Sequence, residues 1–255
     1  MISVKSEREI DLMRQAGIII GTTHNALRDF IKPGVTTLQI DALAEKMIRD
    51  MGATPSFKGL YNFPNAACVS VNEELVHGIP SHRVLKQGDV VSVDLGACVN
   101  GYHGDSAWSY AVGQVSEEVR RLLDVTKEAL RQGLLQAKAG NRLGDICHAI
   151  GAYVNAQGMS VPSDYTGHGI GRAVHEDPNI PNYGTPGTGI KLKEGMTLAI
   201  EPMVHLGRPF TKTLANGFTV TPSDGSLTAH YEHTIVIRKE GFEILTKNWE
   251  DSYFG

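Results

Sequence analysis

Cysteine is scarce in this chain: Cys68, Cys98 and Cys147 are an odd number with no paired metal-type spacing. That pattern argues against a disulfide framework and a thiolate metal site, and it suits a reducing compartment. Apolar runs are short. No stretch of about 18 apolar residues occurs, so no membrane-spanning helix is expected. The N-terminus, Met1-Ile-Ser-Val-Lys-Ser-Glu-Arg-Glu-Ile-Asp11, is charged from the start and carries no apolar signal segment. A cytoplasmic location is the expectation. Basic runs are missing too, and a formal net charge of −4 with a pI near 6.2 gives no electrostatic reason to expect nucleic acid. Neither membrane nor nucleic acid is therefore an expected partner. Absent motifs narrow the chemistry further. No H-E-x-x-H helix marks a zincin, and no G-x-S-x-G elbow marks a serine hydrolase. Gly167-x-Gly169-x-Gly171 misses the G-x-G-x-x-G spacing, and the Gly184 to Gly189 stretch is broken by Pro186, which argues against a phosphate loop.

What is present begins with a hairpin. Asp89-Val-Val-Ser-Val-Asp94 reads as a strand, Asn100-Gly101 as a turn, and the run carrying Asp105, Ala107 and Trp108 as the returning strand. Asn-Gly between two such runs signals a type I′ turn, because both central residues need positive φ. With those two residues as the loop, Val99 pairs with Tyr102, Asp94 faces Ala107, and Asp105 faces Gly96. Asp94 and Asp105 are then diagonal neighbours on one face, roughly 7 to 8 Å apart at the backbone. Two carboxylates so placed repel each other, and burying them without a counter-charge is costly; a cation between them resolves this.

Before the hairpin, Glu7 to Phe30 reads as an amphipathic helix with Ser6 as cap and Glu9 three residues on, stopping at Lys32-Pro33-Gly34. Thr37 is expected to cap a second helix whose stripe is Ile40, Leu43, Ala44, Met47 and Ile48, ending at Gly52. An irregular aromatic segment, Thr54 to Pro64, leads into the β-run Ala67–Val71. The pattern then begins again. Ser116-Glu-Glu-Val signals a helix to about Ala139, and another helix is expected from Leu143 to Gln157.

The two patterns superpose. A shift of 106 places Lys32, Gly34, Ile40 and Gly52 on Lys138, Gly140, Ile146 and Gly158. A shift of 107 places Leu85-Lys-Gln-Gly88 on Leu192-Lys-Glu-Gly195, and Asp94 on Glu201. Val76-His77-x-x-Pro80 likewise matches Val174-His175-x-x-Pro178. The chain therefore reads as one domain, residues 1–255, built of two related halves of about 1–113 and 114–255. Acids from equivalent strands would meet where the halves join.

The second half supplies Thr166-Gly167-His168-Gly169-Ile170-Gly171, Ile200-Glu201-Pro202 and Tyr231-Glu232-His233-Thr234. Glycines around His168 leave its imidazole accessible, as a metal ligand requires. A site built from Asp94, Asp105, Glu201 and Glu232 carries four negative charges, which two divalent cations balance. Oxygen-rich ligands with one imidazole and no thiolate favour manganese, iron(II), cobalt or zinc over copper. A pair of such ions suits hydrolysis.

The ordered motifs Val76-His77-Gly-Ile-Pro, Asp94-x10-Asp105, Gly167-His168-Gly-Ile-Gly, Val174-His175-Glu-Asp-Pro, Ile200-Glu201-Pro-Met and Tyr231-Glu232-His-Thr resemble those of type I methionine aminopeptidases, from about residue 4 to 248. The resemblance implies the pita-bread fold, an α/β (α+β) two-fold duplication with antiparallel strands curved around a dinuclear metal centre and helices outside. It implies removal of the initiator methionine from nascent polypeptides whose second residue is small, with the ribosome as a candidate place of encounter and a monomer as the expected state. It implies Asp94, Asp105, His168, Glu201 and Glu232 as metal ligands, Asp105 and Glu232 bridging, and Glu201 also as general base. His77 would touch substrate beside the scissile peptide, and His175 would donate to its carbonyl oxygen. Phe63, Cys68 and Phe218 match the pocket for the methionine side chain, while Phe57, Leu60 and Val174 depart from the family's usual residue types there. The chain resembles the short bacterial form, without a zinc-binding extension. Rival readings are a proline-specific aminopeptidase of the same fold, whose relatives generally carry an additional N-terminal domain, and a non-catalytic binding protein, which would be expected to lose some of the ligands.

The remaining histidines have plainer readings. His24 in a helix and His82 in a turn are expected at the surface or in caps, and His103 and His230, each two residues from a ligand, are taken as solvated. Cys147 on a helix stripe reads as core.

Overall fold

Ser6 starts the first helix by a reciprocal pair of bonds. Its hydroxyl accepts from Glu9 N at 3.4 Å while the Glu9 carboxylate accepts from Ser6 N at 2.8 Å. Helix α1 (Glu7–Phe30) then buries Ile10, Met13, Ala16, Ile20 and Leu27. Helix α2 (Thr37–Asp50) is capped one residue earlier than expected. Thr36 and Gln39 form the reciprocal pair, while Thr37 lies inside the first turn with its buried hydroxyl donating to Ser81 O at 3.0 Å. The computed structural model describes residues 2–254; Met1 and Gly255, the two ends of the expected domain, lie outside the described residues.

Strands β1 (Thr54–Pro55), β2 (Ala67–Val71), β3 (Val90–Val99) and β4 (Tyr102–Ala111) form one antiparallel sheet. β3 carries β4 along one edge and β1 and β2 in succession along the other. The hairpin register is as read from the sequence: Val99 pairs with Tyr102, Asp94 with Ala107, and Gly96 with Asp105. Asn100 and Gly101 sit at φ of 50° and 80°, the left-handed pair that a type I′ turn needs.

Helices α3 (Glu117–Leu134) and α4 (Leu143–Ala156) pack against each other. α3 stops short of Ala139 because Ala137 N turns back to Leu134 O and Lys138 N to Gln136 O. Gly133 does not interrupt the helix. A Cβ there would lie 2.8 Å from Ile150 Cγ1, so the glycine lets α4 approach. Strands β5 (Thr166–Gly169), β6 (Glu176–Pro181) and β7 (Thr197–Ile200) join β12 (His233–Arg238) and β13 (Gly241–Ile244) in a five-stranded antiparallel sheet, ordered β13-β12-β7-β5-β6. Two short antiparallel pairs complete the fold: β8 (Met203–His205) with β11 (Thr228–His230), and β9 (Thr211–Thr213) with β10 (Val220–Pro222). The small helix α5 (Asp251–Phe254) brings Phe254 into the core, near Trp108. No helix among the described residues is long and apolar enough to cross a membrane.

His24 is fully buried, contrary to the surface role expected of it. Its ring spans Tyr110 Oη at 2.7 Å and Ser106 O at 3.0 Å, which ties α1 to β4. The carbonyl can only accept, so Nε2 carries the proton and the ring is neutral; burial holds its pKa near 4. Between pH 6.5 and 4 the unfolded chain therefore binds a proton here that the folded chain does not. Stability is full above pH 6.5 and falls as pH drops toward 4, by on the order of 3 kcal/mol from this one group. Chemical denaturation of His24→Gln across this range is expected to show a shallower acid slope than the parent protein. An unchanged slope would assign the acid sensitivity to other groups.

Candidate metal centre

Two sheets meet at one place and deliver their acids there. On the hairpin, Asp94 and Asp105 occupy the diagonal positions fixed by the turn. On the second sheet, Ile200 of β7 pairs with His233 of β12, so Glu201 and Glu232 are the next residue beyond each strand. His168 on β5 lies opposite Ala199 of β7. The sheets are stitched by backbone and hydroxyl bonds: Glu232 N donates to Ala107 O at 2.8 Å, Ser106 Oγ to Glu232 O at 2.7 Å, and Thr234 Oγ1 to Asp105 O at 2.8 Å. Those bonds hold Asp105 and Glu232 face to face without using their carboxylates.

Asp105, His168, Glu201 and Glu232 are buried and Asp94 is half-buried; with His77 and His175 they line a cavity of about 250 Å³. Among the described residues no lysine or arginine lines it. Desolvation, and then the neighbouring carboxylates, push the carboxyls of Asp105 and Glu232 well above the usual range; desolvation does the same to Glu201 and raises Asp94 to about 6. Asp94 Oδ1, Asp105 Oδ1 and Glu232 Oε1 are buried without a hydrogen-bond partner. His168 Nδ1 lies 2.9 Å from Gly169 O, to which only a protonated nitrogen can bond, so the bare Nε2 faces the acids, 3.3 Å from Glu201 Oε1 and 3.9 Å from Asp105 Oδ2. A lone pair aimed at carboxylate oxygens is repulsive unless a proton or a cation stands between them, and a histidine held through its other nitrogen is how metal sites orient imidazole. Asp105, His168 and Glu232 each offer a ligand atom, all within 4.8 Å of one another. Oxygen donors plus imidazole suit a divalent cation. Cys68 pairs with Asp94 across β2 and β3, but burial and the Asp94 charge push its thiol well up, so it stays protonated.

An apolar pocket adjoins the acids. Phe57, Phe63, Cys68 and Val174 form one buried cluster, against which Leu60, Ile79 and Phe218 pack. Phe63 and Phe218 meet edge to face at 5.5 Å. Phe63, Cys68 and Phe218 are brought together in this cluster, with Phe57, Leu60 and Val174 beside them. His77 takes a left-handed backbone, φ 57°, and His175 reaches solvent at the cavity mouth with its ring 4.5 Å from that of His168.

Sequence reasoning missed several lining residues, Val76 and Thr166 among them. Tyr61 stacks on His175 at 5.8 Å, Tyr165 meets His77 edge to face at 6.1 Å, and Met203 and His230 complete the wall. His230 is 2% exposed, which corrects its reading as solvated. Its two-residue offset from Glu232 was the available signal, since alternate residues share a strand face. His103 is neither solvated nor in the cavity: half-buried, it bonds Ser56 Oγ at 2.8 Å through Nδ1. His82 is exposed as expected.

The profile of metallopeptidase family M24 matches residues 11–239. Methionine aminopeptidase 1 of Bacillus subtilis (strain 168) is 54% identical over 247 residues, spanning 97% of this chain and 100% of the relative. The crystal structure of methionine aminopeptidase from Thermotoga maritima superposes with a TM-score of 0.96 at 46% identity, covering 97% of this chain and 100% of that one. An Xaa-Pro dipeptidase from Bacillus anthracis superposes with a TM-score of 0.79 at 26% identity, and the match covers 96% of this chain but 62% of that one. The fold is the pita-bread arrangement these structures share, and the chain belongs to metallopeptidase family M24, on its methionine aminopeptidase branch.

Proposed function

We propose that this protein is a metal-dependent aminopeptidase that removes the N-terminal methionine from nascent polypeptides whose second residue is small. The observation that carries the reading is the junction of an apolar aromatic pocket with a buried cluster of four carboxylates and bare imidazole nitrogen. An unbranched thioether fits walls of Phe63, Cys68 and Phe218, because methionine sulfur gains about 0.3 to 1.5 kcal/mol from aromatic contacts. Two divalent cations, of manganese, iron, cobalt or zinc, would match the four negative charges, and Asp94, Asp105, His168, Glu201 and Glu232 would hold them.

Bound there, the metal supplies Lewis acidity toward the scissile carbonyl and lowers the pKa of water. The chain's own groups do the rest. Glu201, beside the cluster and screened from bulk water, accepts the proton that attacking water gives up and returns it to the leaving amine. His175, at the cavity mouth, donates to the carbonyl oxygen as negative charge grows on it. His77 holds the substrate beside the scissile peptide. The two halves, about 1–113 and 114–255, act as one catalytic domain. Supporting this, Gly34 and Gly140 are both left-handed, as are Gly88 and Gly195, and the isolated bridges Thr36–Val84 and Arg142–Lys191 occupy matching places. Nascent N-termini as substrates place the reaction in the cytoplasm, at or near the ribosome.

A peptide pair tests the substrate. The metal-loaded protein is expected to release methionine from Met-Ala-Ser and to leave Ala-Pro-Ser nearly untouched. Norleucine in place of methionine should be cleaved more slowly rather than refused, since apolar pockets separate near-isosteres only about 10- to 200-fold. The reverse preference would move the protein to a proline-specific activity.

A further inference from the structure

Among the described residues, His230 is the one imidazole of the cavity wall to which neither the five-ligand set nor the substrate contacts of His77 and His175 give a role. It ends β11, opposite Met203 of β8, two residues before Glu232. Its backbone is fixed at both polar atoms: N donates to Ser109 Oγ at 2.9 Å, and the carbonyl accepts from the same hydroxyl at 2.8 Å. The side chain is therefore aimed rather than adrift. Its Nε2 is buried, lines the cavity and has no hydrogen-bond partner. Glu201 Oε2 stands 3.3 Å away, outside hydrogen-bond geometry. Buried polar atoms in native proteins are almost always satisfied, so this nitrogen calls for a partner.

The surroundings name its class. Glu201 lies between two imidazoles, with Oε1 at 3.3 Å from His168 Nε2 and Oε2 at 3.3 Å from His230 Nε2. His230, Glu201 and Glu232 offer three ligand atoms within 4.8 Å of one another, and Glu232 Oε1 is also unpartnered. This is a second donor group sharing Glu232 with the group of Asp105 and His168.

We propose that His230 is a metal ligand, giving this centre two imidazoles rather than one; this rests on the reading of the cluster as a divalent-metal site. A second nitrogen donor tilts the centre toward cobalt, iron or zinc and away from manganese, because imidazole favours those ions while manganese prefers oxygen.

Cobalt(II) is the probe. Titration of metal-free protein by calorimetry is expected to show the weaker-bound cobalt losing about 10- to 100-fold in affinity in His230→Gln, at least the cost of disturbing a ligand's supporting shell. X-ray absorption of the cobalt-loaded proteins should count one fewer imidazole nitrogen per chain in the variant. In His230→Ala, added imidazole should recover part of the lost affinity. Unsubstituted protein gives an independent count: cobalt loading should shift the ring N–H signals of two histidines far outside the normal proton range. One shifted histidine, or wild-type cobalt affinity and imidazole count in a folded His230→Gln, overturns the proposal while leaving the aminopeptidase reading intact. Failure of the unsubstituted protein to bind cobalt at all would instead overturn both.

Discussion

Glu201→Gln is expected to lower kcat for methionine release by about 10³-fold or more. The side chain sits one residue beyond β7, 9% exposed, with its oxygens 3.3 Å from two imidazole nitrogens. It is asked to do two things, to hold a cation and to carry a proton from water to the leaving amine. A positioned base alone contributes about 10²- to 10⁴-fold. Glutamine keeps the shape and an oxygen donor but cannot take a proton at any working pH. The loss should therefore fall on kcat with KM little changed, the mark of an interaction made only in the transition state. Steady-state kinetics at saturating metal, with metal content measured on the same sample, check this. A loss smaller than tenfold would remove Glu201 from the proton path.

Asp105→Asn should behave differently, losing metal and rate together. Asp105 is 3% exposed, and burial together with the neighbouring Asp94 and Glu201 carboxylates holds its carboxyl well above the usual range. An amide cannot bridge two cations as a carboxylate can. Metal bound per chain should fall, and activity should drop by more than the roughly 10- to 100-fold that loss of an outer hydrogen-bond partner costs. The same substitution should stabilise the metal-free protein. The carboxyl's folded pKa lies well above its unfolded value, so the folded state holds the extra proton. That stability is present below about pH 4 and is lost as pH rises through the raised value. At neutral pH the metal-free protein therefore bears the cost of a buried acid that the unfolded chain ionises freely. Melting temperatures at pH 7.5 should rank metal-free Asp105→Asn above the metal-free parent and below the metal-loaded parent. A metal-free variant that melts lower than the metal-free parent would show that Asp105 stabilises the fold without metal.

The hairpin was fully legible because its information is local. Asn100-Gly101 admits one turn type, and the turn dictates that Asp94 and Asp105 lie diagonal. The Ser6 cap was legible for the same reason. Thr36 and Thr37 are both capping residues, and the choice between them lies in Gln39, which reaches back three residues to Thr36 and not two to Thr37. His24 was misread because its partners, Tyr110 and Ser106, are more than 80 residues away. A helix histidine with distant partners looks like any surface histidine. The acids of the site were found by order and spacing, and the pocket by resemblance; neither gives distances. Tyr61 over His175 depends on left-handed backbone at Tyr61 and Asn62, φ 49° and 67°, which no periodicity signals. His230 reads from the sequence as solvated because its burial is set by contacts with β4 and β8, which are distant in the chain.

If the buried acidic cluster works through divalent metal to release N-terminal methionine, removing and restoring the metal must switch that release off and on. Protein dialysed against a chelator, then titrated with manganese or cobalt, is assayed for methionine released from Met-Ala-Ser. The expected result is negligible release from the metal-free protein and recovery on titration, complete when about two equivalents are bound, as a dinuclear hydrolytic site requires. Full release by protein shown to hold no metal would contradict the account.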